Sequence, residues 1–408
     1  MMERVSGLLL RYHRLKQNIS QEGLGAGICV VSYVSKIEQG KVEASREIIA
    51  ALFKRLHISY HDDAEEIRIW KEQLQSAMEG LYYGQRYMSE EEALLKQREE
   101  LVNSPLCVDI LLFQAYRCFI EHEDLTHMLD DLDIFVPCMN DEQLFFYHYL
   151  KGSDRTQSFK QSLSYLQKAG QYGDWCILDQ AIGHLYTDVG DYSMALDHHQ
   201  NAYRKACDEG HVKMMKDTSL QIANCYSNMK AESLMLKYYT QCSHICRFLN
   251  DRELEGTIAY NIGSTYLQWK QYDLARSYLT KSLDLLEEVN IWHRFLIMQK
   301  LSLLYEAMGD KASGRVYLEQ MEAYIDPQKA ISHKLLQFVS LRYEEDHLQN
   351  DDYLHVLEEI CEADKEQVFY GLRVFHMQYL IEAYQSHRRY KEAAELMVKI
   401  NDFPVISQ

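Results

Sequence analysis

Proline is scarce in this 408-residue chain: four occur, and none lies between Pro137 and Pro327. Proline removes a backbone donor and clashes inside a helix, so its absence over that stretch suits long uninterrupted helices. No run of 18 apolar residues is present, which excludes a membrane-spanning helix. The opening segment MMERVSGLLLRYHR has too short an apolar core for a secretory signal. Ten cysteines follow no disulfide-like rhythm, and without an export signal they read as thiols of a reducing cytoplasm. Catalytic signatures are missing as well: there is no G-x-S-x-G, H-E-x-x-H, Walker loop or C-x-x-C pair. The metal-like cluster Cys242-Ser243-His244-Ile245-Cys246 would, on a helix, put both thiols on one face and His244 on another. His198-His199 has no third ligand beside it. Neither an enzyme nor a metal or other cofactor is expected.

What charge there is lies unevenly. The net charge is −18, yet residues 1–60 hold nine Lys and Arg against five Asp and Glu, whereas the remainder holds 34 against 56. A mildly basic head on a strongly acidic body can approach nucleic acid by one end only. The same balance excludes the body as a nucleic-acid or anionic-membrane surface.

Residues 19–41, ISQEGLGAGICVVSYVSKIEQGK, read as two short helices joined by a turn. Ser20 is a good N-cap, with Gln21 and Glu22 opening the helix behind it. Leu24 and Ile28 are i,i+4 neighbours facing a core, and Val34 and Ile37 do the same for the next helix. Ser32, Tyr33 and Lys36 then remain outward, on the face that enters a major groove in a helix-turn-helix reader. Gly40 closes that helix as a C′ residue. Val5, Leu8 and Leu9 supply a preceding helix; Ile48, Ile49, Leu52, Phe53 and Leu56 supply a following pair. Gly23, Gly25 and Gly27 fall inside the expected second helix, each costing about 0.8–1 kcal/mol relative to Ala. They imitate a dinucleotide-binding G-x-G-x-x-G, but the spacing is wrong and no β-rich strand precedes them.

LKQNISQEGLGAGICVVSYVSKIEQG resembles the readers of the peptide-pheromone regulators of Gram-positive bacteria, the Rgg, NprR and PlcR group, which carry a Cro/repressor-type helix-turn-helix. Ser20, Gln21, Leu24, Ile28, Ser32, Val34, Ser35, Ile37, Glu38 and Gly40 match that pattern in register. The resemblance implies that Gln21 touches backbone phosphate and that Ser32, Tyr33 and Lys36 reach bases or phosphates, with Lys41 beside them.

The body repeats itself. Gly183-x-x-Tyr186, Ala223-x-x-Tyr226 and Gly263-x-x-Tyr266 recur at a period of 40, and Ser302-x-x-Tyr305, Ser340-x-x-Tyr343 and Ile381-x-x-Tyr384 continue the series. A second set follows in the best copies: Tyr192 and Ala195, Tyr272 and Ala275, Tyr390 and Ala393. The pattern resembles the tetratricopeptide repeat, in which a small residue admits the paired helix and aromatics fill the gap between hairpins. Six repeats are expected from about Gly173 onward, with a further hairpin in 105–150. The expected fold is all-α: a helix-turn-helix domain over 1–61, a helical linker over 62–104, and a right-handed tetratricopeptide-like superhelix over 105–408 that senses peptide and dimerises. In the linker, Ile67, Trp70, Leu74 and Met78 form one stripe beginning after Asp62 or Asp63, and SEEEALLKQREEL is a further charged helix.

In the tetratricopeptide layout the inward positions flank the small residue. Here they include Gln180, His184, Gln221, Asn224, Asn228, Asn261, Ser264 and Gln268. Asn and Gln both donate and accept, which suits an extended peptide backbone with no partner strand. The resemblance implies that asparagines on these helices hold the main chain of a pheromone, Asn224, Asn228 and Asn261 first among them. Tyr260 and Leu267 are candidates for side-chain pockets, and His184 for pH sensitivity, although tyrosine and histidine in such repeats more often serve packing.

These readings imply a cytoplasmic regulator that binds double-stranded DNA as a homodimer and a short linear signalling peptide, with no membrane partner. Peptide would shift the population between two states by favouring one by a few kcal/mol. The alternative is a peptide-controlled adaptor that sequesters a response regulator or phosphotransfer protein. Control of a phage lysis decision uses the same architecture as quorum sensing and differs in genetic setting.

Overall fold

The computed structural model describes residues 2–85, 88–154, 156–286, 290–363 and 370–401, and among them there is helix and no strand. The all-α expectation is met. The chain divides into two compact units, Met1–Leu178 and Asp179–Gln408.

The first unit opens with α1 (Met2–Lys16), α2 (Gln21–Gly25), α3 (Val31–Glu38) and α4 (Arg46–Arg55). Ser20 caps α2 by accepting the Gly23 amide at 3.0 Å. Gly40, at φ 63°, ends α3, and the Lys41 amide returns to the Lys36 carbonyl at 2.9 Å. Leu8, Leu9, Leu24, Val34, Ile37, Leu52, Phe53 and Leu56 are buried and close a small core. The approach of α1 to α3 depends on Gly7, where an added Cβ would lie 2.1 Å from the Ile37 carbonyl oxygen.

Three details differ from the sequence reading. Gly27 and Ile28 lie in the turn after α2, not within the helix. Gly27 takes φ +73°, which a side chain would resist, and Ile28 is only half-buried. The helical penalty thus applies to two glycines, and Gly25 is needed for packing: a Cβ there would meet Val34 Cγ2 at 2.9 Å. Finally, Ile48 to Leu56 belong to one helix and its cap rather than to a pair, because their apolar side chains share one face.

The unit continues with α5 (Ala64–Tyr83), α6 (Met88–Lys96), α7 (Arg98–Val102), α8 (Cys107–Ile120), α9 (Thr126–Asp133), α10 (Asp141–Ser153) and α11 (Phe159–Ala169). Asp63 caps α5 through the Glu65 and Glu66 amides, and Ile67, Trp70 and Leu74 are buried while Met78 is half-buried. That stripe lies against α8. The charged stretch after Gly84 is two helices, broken at Gln97, where the reading had one. In the expected 105–150 hairpin, α8 and α10 pack through Tyr116 and Phe146, with ring centroids 5.2 Å apart. A further hairpin follows: on α10, Gly152 leaves room for Leu166 of α11, whose Cγ would lie 2.7 Å from an added Cβ. The head docks onto α9, where Asp131 accepts from Tyr12 Oη at 2.9 Å and Lys16 Nζ at 2.8 Å.

Among the described residues from Cys176 onward, six helix pairs follow one another. They are α12 (Cys176–Val189) with α13 (Tyr192–Glu209), α14 (Val212–Asn228) with α15 (Glu232–Leu249), and α16 (Arg252–Gln268) with α17 (Tyr272–Leu285). Then come α18 (Ile291–Ala307) with α19 (Lys311–Glu322), α20 (Ile331–Arg342) with α21 (Asp351–Glu362), and α22 (Tyr370–Ser386) with α23 (Tyr390–Asn401). The small residue does what the repeat requires. A Cβ on Gly183 would meet the His199 ring at 2.6 Å, and one on Gly263 would meet Leu279 Cγ at 2.8 Å.

The repeat tyrosine has a partner that the sequence reading missed. Tyr186 stacks on His198, Tyr226 on Tyr238, Tyr266 on Tyr278 and Tyr305 on Tyr317, with centroids 5.8, 5.6, 5.9 and 5.5 Å apart. Each partner lies twelve residues on, so the spacing was present in the chain. Tyr192 is buried and Tyr272 half-buried, but Tyr390 in the last pair is 64% exposed.

Candidate functional site

The expected DNA-facing residues sit on and around α3. Ser32, Lys36 and Lys41 are exposed and Tyr33 is half-buried. Val30 precedes the helix without a side-chain cap bond, and the first-turn amides of α3 therefore lack a side-chain acceptor. Val30 and Val31 are themselves 68% and 42% exposed. They were not singled out from the sequence, although two adjacent valines outside the i,i+3 apolar set were a visible signal.

Gln21 is placed differently from its outward neighbours. Its Nε2 donates to Glu38 Oε2 at 2.8 Å, and Glu38 is buried against Arg14. Arg14 also donates to the Ile19 carbonyl at 2.9 Å, so one guanidinium ties α1, the start of α2 and the end of α3. From α4, Arg55 donates to the Gly23 and Ala26 carbonyls at 3.2 and 2.8 Å, holding the turn. The head presents α3 on a fixed frame.

In the second unit, α12, α14 and α16 line a cleft of about 350 Å³. Seven of the eight inward positions meet there: His184, Gln221, Asn224, Asn228, Asn261, Ser264 and Gln268. Gln180, one turn before His184, does not line it. A tandem of i,i+4 and i,i+3 positions on successive first helices produces this convergence, because equivalent faces of stacked repeats share one side.

The cleft wall is prearranged by its own hydrogen bonds. Asn224 Oδ1 accepts from Tyr239 Oη at 2.7 Å and from Asn261 Nδ2 at 3.3 Å. Asn228 Nδ2 donates to the Asn224 carbonyl at 2.8 Å, and Ser227 and Thr265 hydroxyls meet at 2.7 Å. His199, behind His184, is fully buried, and burial holds its pKa well below the usual histidine range, with the neighbouring His184 and His198 adding to this. Tyr260 lines the cleft and is buried; Leu267 is buried but outside the lining.

One wall was not foreseen. Lys300 of α18 and Gly371, Leu372 and Phe375 of α22 complete the cleft. Every residue from Phe295 to Leu304 is buried, so α18 is enclosed on all sides. Lys300 inside that apolar run was the legible signal. The meeting of α18 with α22 was not, since 75 residues separate Lys300 from Phe375 and only stacking brings them together.

Elsewhere, all ten cysteines are free thiols, and among the described residues no group of three His, Cys, Asp or Glu side chains is arranged to hold a metal ion. Nor is any described helix long and apolar enough to cross a membrane.

A helix-turn-helix head and a body of stacked helical repeats define the class. Residues 10–62 match the family model described as Helix-turn-helix, and residues 257–285 match that of the Tetratricopeptide repeat. No curated protein matches the chain in sequence. The fold is similar to that of the apo quorum sensor NprR from B. thuringiensis, with TM-score 0.61, 18% identity, and coverage of 83% of this chain and 99% of that one. It is also similar to a Rap protein complexed with competence and sporulation factor, with TM-score 0.62 and 11% identity, covering 83% and 98%. Aspartyl phosphate phosphatase F from Bacillus subtilis aligns with TM-score 0.52 and 15% identity over 98% of this chain and 93% of its own. The resemblance to peptide-pheromone regulators read from the head thus extends to the fold of the chain.

Proposed function

We propose that this protein is a cytoplasmic transcription regulator whose helix-turn-helix reads DNA as a homodimer and whose repeats bind a short signalling peptide that changes DNA affinity or dimer geometry. The carrying observation is the convergence of seven predicted polar positions on one cleft in a chain that also bears a helix-turn-helix. The amides and hydroxyls there offer donors and acceptors to an extended main chain. A solved structure of NprR with its cognate peptide NprX, similar in fold at TM-score 0.59, is consistent with that use. On this reading Ser32, Tyr33, Lys36 and Lys41 contact DNA, Gln21 braces the reader beside the phosphates, and no step of catalysis is involved. Functionally, the head spans 1–61, the connector 62–104 and the sensor with its dimer contacts 105–408.

The test is selection of fragments from the source genome by the full-length protein near physiological salt, followed by salt titration. A palindromic site should be enriched and lost on combined Tyr33→Ala and Lys36→Ala, and Lys36→Ala alone should reduce the salt slope by about one. Binding that collapses with salt and shows no preferred site would remove the regulator reading. The second reading, an adaptor that sequesters a response regulator or phosphotransfer protein, draws on the full-length likeness to the aspartyl phosphate phosphatase fold. It predicts a protein partner retained after removal of the first 60 residues.

A further inference from the structure

We propose that the cleft is built for an anionic ligand, and that Lys300 receives a carboxylate of the bound peptide, either an Asp or Glu side chain or the free C-terminus. This rests on the peptide-binding reading of the same cleft.

Lys300 lines the cleft yet is only 1% exposed. Its Nζ donates to Gln299 Oε1 at 3.2 Å and sits 3.0 Å from the centroid of the Phe375 ring. Among the described residues no carboxylate lies within ion-pair distance of it. An ammonium removed from water loses several kcal/mol of hydration, and one amide and one aromatic face return only part of that. With one donor on Gln299 and one toward the ring, the third remains for another acceptor.

The neighbours hold this arrangement in place. His376 Nδ1 lies 2.7 Å from the Leu372 carbonyl, an oxygen that can only accept, so this nitrogen carries the hydrogen. His376 Nε2 then accepts from Gln299 Nε2 at 3.0 Å, which turns Gln299 Oε1 toward Lys300. Burial, followed by the adjacent Lys300, pushes the His376 pKa well below its ordinary value, so this ring is a neutral link and not a counter-ion. Burial likewise pushes Lys300 far down from the ordinary lysine range. A carboxylate arriving beside it would favour its charged form. Affinity should then fall as pH rises through the lysine pKa of the complex. His376 on α22 faces the amine directly; the other titratable groups of the cleft wall are His184, Asp188, Tyr192, Tyr239 and Tyr260.

The probe is a pool of random heptapeptides with free C-termini, equilibrated with full-length protein and identified by mass spectrometry after gel filtration. Retained peptides should be enriched in acidic residues or lose binding when C-terminally amidated. For a selected peptide, Lys300→Met should weaken binding about 30-fold or more, the range for truncating one member of a buried charge pair. Amidation and Glu→Gln (or Asp→Asn) versions identify which carboxylate is used. Lys300→Met should leave the ligand-free melting temperature unchanged or raised, because a methionine there needs no counter-charge. A clear fall in that temperature would make Lys300 structural and overturn the proposal. Retention of peptides without carboxylate preference, equally by both proteins, would overturn it while the peptide reading stood. Retention of none by the wild type would remove both.

Discussion

Glu38 accepts the Arg14 guanidinium through both carboxylate oxygens, from Nε at 2.6 Å and from Nη2 at 2.9 Å, in the interior of the helix-turn-helix head. The Glu38 side chain is 2% exposed and that of Arg14 is 11% exposed. This glutamate is one of the residues that match the resembled helix-turn-helix pattern, and in the structure it serves the frame of the head. Removing one member of such a pair strands the other, at a cost of about 3–5 kcal/mol. Glu38→Ala should therefore abolish hydrogen-exchange protection in α1 to α4 while leaving the protection of α12 to α23 intact. Unchanged protection in the head would show that the pair contributes nothing.

Gly7 tests the same frame from the opposite side. Any side chain there must displace the Ile37 carbonyl, which is backbone and cannot rotate away. Gly7→Ala should lower head stability by more than the helix-propensity gain of about 1 kcal/mol can offset. Urea unfolding followed by proteolysis at the head checks this; a more stable variant would mean that α1 and α3 can separate freely.

Asn224 and Asn228 should differ although both line the cleft. Asn224 accepts the hydroxyl of Tyr239, whose side chain is 1% exposed, whereas Asn228 is half-buried and donates to a helix carbonyl already in use. Asn224→Ala removes the acceptor of a buried hydroxyl and should cost about 1–3 kcal/mol, lowering the melting temperature. Asn228→Ala should leave that temperature nearly unchanged. Both should weaken retention of cleft-binding peptides. Equal melting temperatures would show that Tyr239 finds another acceptor.

Asp179 supplies a pH dependence. Burial alone would raise its pKa, but hydrogen bonds from His198 at 2.8 Å and Lys205 at 2.6 Å prevail and hold it below the usual aspartate value. A depressed folded-state pKa contributes stability above the unfolded value, and that contribution is lost as pH falls through the folded one. Asp179→Asn should flatten the decline of melting temperature below about pH 4. A decline as steep as in the wild type would place the acid sensitivity elsewhere.

Much of this was legible because it is local. Ser20 as a cap, Gly40 as a C′ residue and the Ile67–Trp70–Leu74 stripe follow from backbone donors and helical period, and they occur where the spacing puts them. Gly27 was misplaced because a glycine in a helix and a glycine at positive φ look alike in a one-dimensional pattern; only the turn distinguishes them. The ring twelve residues beyond each repeat tyrosine was present in the sequence, but its meaning depends on how the paired helices cross.

By itself the sequence determined the all-α class, the head-and-repeats order and the inward face of α12, α14 and α16, since these depend on periodicity along one chain. Tertiary structure decided the rest. It joined Asn224 to Asn261, turned Gln21 onto Glu38 and enclosed Lys300 beneath Phe375. Each of those outcomes depends on which helices stack and how closely, and close approach is set by side-chain volumes on partners far apart in sequence.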